Sequence, residues 1–407
     1  MKWHASCRPL WASIALAAVA ALTSAPSWGQ KMYGPGVTDS EIKIGQTMPY
    51  SGPASAYGTI GKVEAAYFKM INDQGGVNGR KINMISLDDS YSPPRTVEQV
   101  RKLVEEENVL LLFQTLGTPP NVAIHKYVNA KKVPHLFLAT GSSLWDDPKN
   151  FPWTMGFNLG YQTEGHIYAK WLLLNSPDAK VAVLYQNDDF GKDLLKGFKD
   201  GLGAKAGKMI VSEATYEVTD PTIDSQILKL KDSGADTFLD ITTPKFGAQA
   251  TRKIYDSGWK PLHLLNNVAA SIGTVIMPVG PEKALGARTV VYYKDASDPM
   301  WDNDPGMKEW RAFMAKYYPD GNLKDASNVY GYIAAQVMVQ VLKQCGDNLT
   351  RENVMHQAAS LKALKIAQLL PGMSINTSAT DFSPIEQGQM ARFDGTRWAV
   401  YGDILGK

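Results

Sequence analysis

Four short segments carry the residue types that hold a small solute, and none carries a recognisable nucleophile-base pair that would break a bond. They are Met48-Pro49-Tyr50-Ser51-Gly52-Pro53 with Tyr57-Gly58, Leu116-Gly117-Thr118-Pro119, Ala139-Thr140-Gly141-Ser142-Ser143, and Tyr185 to Gly191. Glycine lets backbone approach a ligand closely, hydroxyls supply hydrogen bonds, and a helix starting after Gly117 favours an anion. Rings at Tyr50, Tyr57 and Phe190 can wall an apolar ligand body. Any one such loop is ordinary turn chemistry; four together point to binding.

Motifs for catalysis and cofactors fail on position. Gly201-Leu202-Gly203-Ala204-Lys205-Ala206-Gly207 has its last glycine one place late for a dinucleotide fingerprint and follows a helix, not a strand. No Walker loop and no Gly-x-Ser-x-Gly elbow is present. His125, His135, His166, His263 and His356 are scattered, with no pair at metal-ligand spacing. Ser40 and Lys43 of a Ser-x-x-Lys match would face opposite sides of a strand. Asp298 to Gly306 lacks calcium-loop spacing and reads as a solvated turn. The expectation is a protein that is not an enzyme and uses no cofactor and no metal.

The elements that position these loops alternate strand with helix. Ile42-Lys43-Ile44-Gly45 reads as a strand, and Ile60, Val63, Tyr67, Met70 and Ile71 share one face of the helix after it. Gly75-Gly76 ends that helix. Further strands are expected at Lys81 to Leu87, Val109 to Phe113, Val133 to Leu138, Val181 to Tyr185, Asp236 to Ile241 and Leu262 to Leu265. Such alternation gives an α/β fold whose parallel sheets are covered on both faces, with the binding loops along one sheet edge. Asp394-Gly395 between apolar flanks marks a hairpin near the C-terminus.

Length and the N-terminus set the context. Lys2, His4 and Arg8, the apolar run Leu10 to Leu22 and the small-any-small triplet Ser27-Trp28-Gly29 form a secretory signal peptide over residues 1–29. Its removal takes two of the 42 basic residues and leaves 40 against 40 acidic ones. A neutral chain offers no basic stripe for nucleic acid. Cys7 leaves with the signal, so Cys345 stands alone and no disulfide within the chain is expected. The rest exceeds what one core serves, so two lobes are expected: 39–158 plus 288–374, and 159–287 plus 375–407.

The run through Ser51-Gly52-Pro53, Tyr57-Gly58, Ile71-Asn72-Asp73-Gln74-Gly75-Gly76-Val77-Asn78-Gly79, Leu87-Asp88-Asp89 and Asn187-Asp188-Asp189-Phe190-Gly191 resembles the periplasmic solute-binding proteins of the branched-chain amino acid ABC importers. The resemblance implies the type I periplasmic binding fold: two Rossmann-like lobes joined by crossing hinge strands, closing on a ligand. It implies a periplasmic monomer whose partners are a small carboxylate ligand and an inner-membrane permease, with no nucleic acid. A sensory module of the same fold is the alternative. Around Gly117, Thr118, Ala139 and Gly141 it implies a carboxylate site. The full ligand-binding set expected is Tyr50, Tyr57, Gly117, Thr118, Ala139, Thr140, Gly141, Tyr161, Phe190, Thr242 and Asn266. Where the family places an acid for the ligand ammonium this chain has Asn266, and where it places a tyrosine, Thr242. A buried ammonium without its acid costs about 3–5 kcal/mol. Either Asp189 or Asp240 supplies the charge, or the ligand is a carboxylate without an α-ammonium, aromatic given the rings. On that account Asn266→Asp would favour amino acids.

Overall fold

The computed structural model describes residues 1–4 and 31–406. The signal-peptide expectation falls mainly on residues outside the described ones. Among the described residues no helix is long and apolar enough to cross a membrane. The body that begins at Met32 contains two large sheets.

The first sheet has five parallel strands in the spatial order Lys81–Asp88, Glu41–Met48, Leu111–Phe113, His135–Leu138 and Thr154–Gly156. The second has seven: Trp398–Gly406, Gln387–Phe393, Arg288–Val291, Leu262–Leu265, Thr237–Ile241, Val181–Gln186 and Ile210–Tyr216. Its last five are mutually parallel, and the C-terminal pair runs antiparallel through the Asp394-Gly395 turn. Near-continuous apolar runs such as Leu110-Leu111-Leu112-Phe113 are fully buried, as strands covered on both faces require. An α/β architecture with mainly parallel sheets is what the alternation predicted. Thr154–Gly156 and Ile210–Tyr216 escaped the sequence reading. The first is three residues long, and the second is a sheet edge whose Ser212 and Glu213 dilute its apolar character.

The chain passes between the sheets three times. It leaves the first through Phe157 to Gly160 into the helix Tyr161–Asn175. Arg288–Val291 still pairs in the second sheet, so the return begins at Tyr292. The helix Ala326–Cys345 then packs on the helix Gly58–Asp73 at the first sheet. The third passage, at Phe382 to Glu386, feeds the C-terminal strands back into the second. The acidic stretch after Asp298 is no plain solvated turn. Asp298 is buried, accepting the Arg397 guanidinium at 2.5 Å and the Met300 N–H at 2.9 Å, and Asp304 caps the helix Pro305–Tyr317 through the Met307 N–H. Charges whose partners lie 99 residues apart leave no trace in local spacing.

Candidate functional site

Parallel strands put their exit loops on one edge, and here the exits of both sheets face a shared cavity of about 60 Å3. From the first sheet's loops come Tyr57, Tyr91, Gly117 and Ala139; from the second sheet's side come Tyr161, Phe190, Thr243 and Asn267. The crossing segments add Asn158, Tyr292 and Tyr293, and the first turns of Ala326–Cys345 add Tyr330. The rings pack on one another: Tyr161 on Phe190 with centroids 4.9 Å apart, and Tyr292 edge-on to Tyr293 at 4.8 Å.

Burial holds the phenols protonated. It pushes Tyr161 up to about 12, with Thr140 and Gly141 opposing, and moves Tyr57, Tyr91, Tyr292 and Tyr330 well above the ordinary phenol range. Their hydroxyls are therefore neutral donors at any physiological pH. Among the described residues no charged side chain lines the cavity, and no group of acids, histidines and cysteines is arranged to hold a metal. The Asn158 Oδ1 is buried without a hydrogen-bond partner in the protein, and the Tyr330 hydroxyl has the Gln114 side chain beside it. A ligand that meets Asn158 gains a bond it otherwise lacks.

Carboxylates do sit behind the wall, holding its backbone. Asp89 accepts the Tyr91 N–H at 3.0 Å and the Thr96 hydroxyl at 2.7 Å, and so places Tyr91. Asp188 caps the helix Asp189–Leu202 by accepting the Phe190 and Gly191 N–H groups at 3.0 and 3.2 Å. Glu164 accepts the Asn267 N–H at 2.6 Å and the Tyr168 hydroxyl at 2.9 Å. Burial raises the Glu164 carboxyl to about 7 despite these bonds.

Of the expected ligand set, Tyr57, Gly117, Ala139, Tyr161 and Phe190 line the cavity. Tyr50 does not. Its hydroxyl meets Ser86 at 2.6 Å on the far side of the first strand. Thr118 and Thr140 turn their hydroxyls to each other at 2.6 Å, and Gly141 lies behind Tyr161. Asn266 is fully buried with its Oδ1 on the Thr242 N–H at 3.0 Å, and Thr242 bonds Asp240 at 2.7 Å. The neighbours Asn267 and Thr243 reach the cavity instead, a shift of one residue that moves the Asn266→Asp argument off the site. Neither candidate acid rescues the missing charge: Asp189 is exposed, and Asp240 is buried against His263 at 3.0 Å. The anion-friendly helix start is also weaker than expected. Pro119 and Pro120 carry no N–H, and the Gly117 N–H is given to the Ala139 carbonyl at 3.3 Å. Thr118 alone keeps a free first-turn donor.

The sequence pattern does not single out Tyr91, Asn158, Thr243, Asn267, Tyr292, Tyr293 and Tyr330. Tyr91, Thr243 and Asn267 each follow an expected strand, so their positions carry a signal. The others lie on crossings and in the first turns of a helix, where local pattern marks nothing.

Bonds join the two sides of the cavity. The Tyr57 hydroxyl donates to the Val268 carbonyl at 3.0 Å, the Ser271 hydroxyl to Asp325 at 3.0 Å, and the Ser143 N–H to Asp193 at 2.8 Å. Tyr57→Phe is expected to weaken any ligand that the closed form holds by about fivefold, the worth of one net hydrogen bond of ~1 kcal/mol. Isothermal titration checks this; an unchanged Kd would show that the bond adds nothing to closure.

The sequence pattern of a family described as periplasmic binding protein matches residues 41–397. The Leu/Ile/Val-binding protein homolog 7 of Brucella suis biovar 1 (strain 1330) is 24% identical over 372 residues, 88% of this chain and 89% of its own. A branched chain amino acid ABC transporter protein from Thermus thermophilus, solved with bound valine, superposes with a TM-score of 0.82 at 16% identity, covering 91% of this chain and 98% of that one. A solute binding protein of an ABC transporter from Rhodopseudomonas palustris BisB5, solved with 3,4-dihydroxy benzoic acid, gives 0.76 at 19% identity over 90% and 97%. These likenesses show the same fold.

Proposed function

Because the chain belongs to the periplasmic binding protein family, we propose that it is the solute-binding component of an ABC importer and that its solute is a small aromatic or other organic acid without an α-ammonium. One observation carries the choice of solute: a cavity walled by tyrosines and phenylalanine in which no described side chain is charged. An α-ammonium there would be desolvated with no counter-charge. Protonated phenol hydroxyls suit a carboxylate or phenol oxygen, and Asn158 suits a hydroxyl.

The protein makes and breaks no bond. Residues 1–29 direct export and are removed. The two lobes, 39–158 plus 288–374 and 159–287 plus 375–407, carry one sheet each, with the strand Arg288–Val291 serving the second; they act as a monomer that delivers its solute to an inner-membrane permease. Ligand contacts spanning both sides of the cavity bind the closed form better than the open one and so draw the lobes together.

Thermal unfolding of the chain lacking residues 1–29 tests this reading against benzoate, 4-hydroxybenzoate, leucine and valine. A ligand at a hundred times its Kd adds about 2.7 kcal/mol, so stabilisation by the aromatic acids alone is expected. Stabilisation by leucine or valine alone overturns the choice of solute.

A further inference from the structure

A second, larger cavity adjoins the first. Its volume is about 390 Å3 against 60 Å3, and Asn158 and Tyr161 belong to the walls of both. The rest of its wall mixes apolar surface from Trp145, Phe382 and Pro384 with the acid Asp146 and with hydroxyls, and those hydroxyls come from three elements. Ser142 follows the first sheet's fourth strand, Thr163 sits in the first turn of Tyr161–Asn175, and Ser383 lies in the third crossing. Size makes the pairing matter. A dry cavity of about 150 Å3 is what a single benzene molecule occupies, so the tyrosine-lined space by itself has no room for a solute longer than one ring.

The partition is thin. On one side the Tyr161 ring rests on Phe190; on the other it lies over Gly141, where a Cβ would come within 3.1 Å of it. The Tyr161 backbone is pinned by its N–H to the Gly141 carbonyl at 2.7 Å. The ring can turn only about its side-chain bonds, and turning it gives up the hydrogen bond of its hydroxyl to Thr140. Asn158, with its buried Oδ1 unpartnered, stands in the same partition.

We propose that the two cavities are one bipartite binding site gated by the Tyr161 ring, and that the solute is an elongated organic acid whose far end joins apolar surface to a hydroxyl. Its acid end and body occupy the tyrosine-lined part. The far end passes Asn158 and is met by the hydroxyls of the second part. This rests on the organic-acid reading above and narrows its ligand class.

Titration calorimetry with benzoate and 4-(4-hydroxyphenyl)butyrate tests it, on the parent protein and on Thr163→Trp and Ser383→Trp, which fill the second cavity from two different elements. The long acid is expected to bind the parent at least tenfold tighter than benzoate, and each variant to bring that ratio close to one. Equal affinities in the parent, or a ratio that survives both variants, overturns the bipartite site while leaving the organic-acid reading in place. If neither acid binds and leucine does, the organic-acid reading fails first and takes this proposal with it.

Discussion

Gly117→Val is expected to destabilise the protein by about 3–5 kcal/mol and to abolish solute binding. Two costs add. Gly117 has φ +94° and ψ +146°, a region that side-chain-bearing residues reach only at about 1–3 kcal/mol. A Cβ at that position would also lie 2.3 Å from the Tyr91 ring, and overpacking of this kind costs another ~1–3 kcal/mol. Tyr91 cannot retreat cheaply. Its own φ is +58°, its N–H is held by Asp89, and its ring is buried in the cavity wall. Relief by moving Tyr91 reshapes the site; relief by moving the Gly117 backbone breaks the bond to Ala139. Urea melts and titration together check the result. Alanine at 117 binding with parental affinity would mean that the close approach is not needed.

Glu164→Gln is expected to make the protein more stable above neutral pH, by up to about 3 kcal/mol, and to change little at pH 5. The sign follows from the direction of the shift. The folded carboxyl, raised to about 7 from its usual 4.5 by burial, holds its proton better than the unfolded chain does. Its contribution is therefore fully present below about pH 4.5, declines between 4.5 and 7, and is lost above 7. Glutamine keeps an acceptor for the Asn267 N–H and carries no charge to bury. Glu64 is likewise pushed up by burial, with the Gln46 amide opposing, so part of the parent's decline persists in the variant. Melts at pH 5 and pH 8 give the comparison. A variant as pH-sensitive as the parent would show that Glu164 is already ionised in the fold. Loss of solute binding at constant stability would show instead that the acid itself, not its acceptor oxygen, sets Asn267.

Much of the fold was legible because the physics that makes it is local. Strand-length apolar runs, a Gly75-Gly76 stop and an Asp394-Gly395 turn each act within a few residues, and each stands where the pattern placed it. The site was legible only where it sits on those elements. Tyr57, Gly117, Ala139 and Phe190 all follow a recognised strand, and Tyr161 stands just past the expected lobe boundary at 158 and 159. Asn266 against Asn267 and Thr242 against Thr243 show the limit: side chains on extended backbone alternate in direction, so an error of one residue exchanges cavity for core. Tyr292, Tyr293 and Tyr330 are gathered by chain crossings, which no spacing rule encodes.

The two prolines that open the helix Thr118–Ala130 bear on how such a scaffold changes its diet. A binding protein with a new diet is usually imagined to have exchanged the side chains that touch its cargo. Here the main chain bears on it too, since Pro119 and Pro120 remove two donors from the start of the helix Thr118–Ala130, which borders the cavity through Gly117. Neither proline belongs to the cavity wall, so a residue with an N–H at either position restores a donor without replacing a lining side chain. Preference for anionic ends is in that sense a dial on the backbone, adjustable in descendants of this chain without rebuilding the pocket.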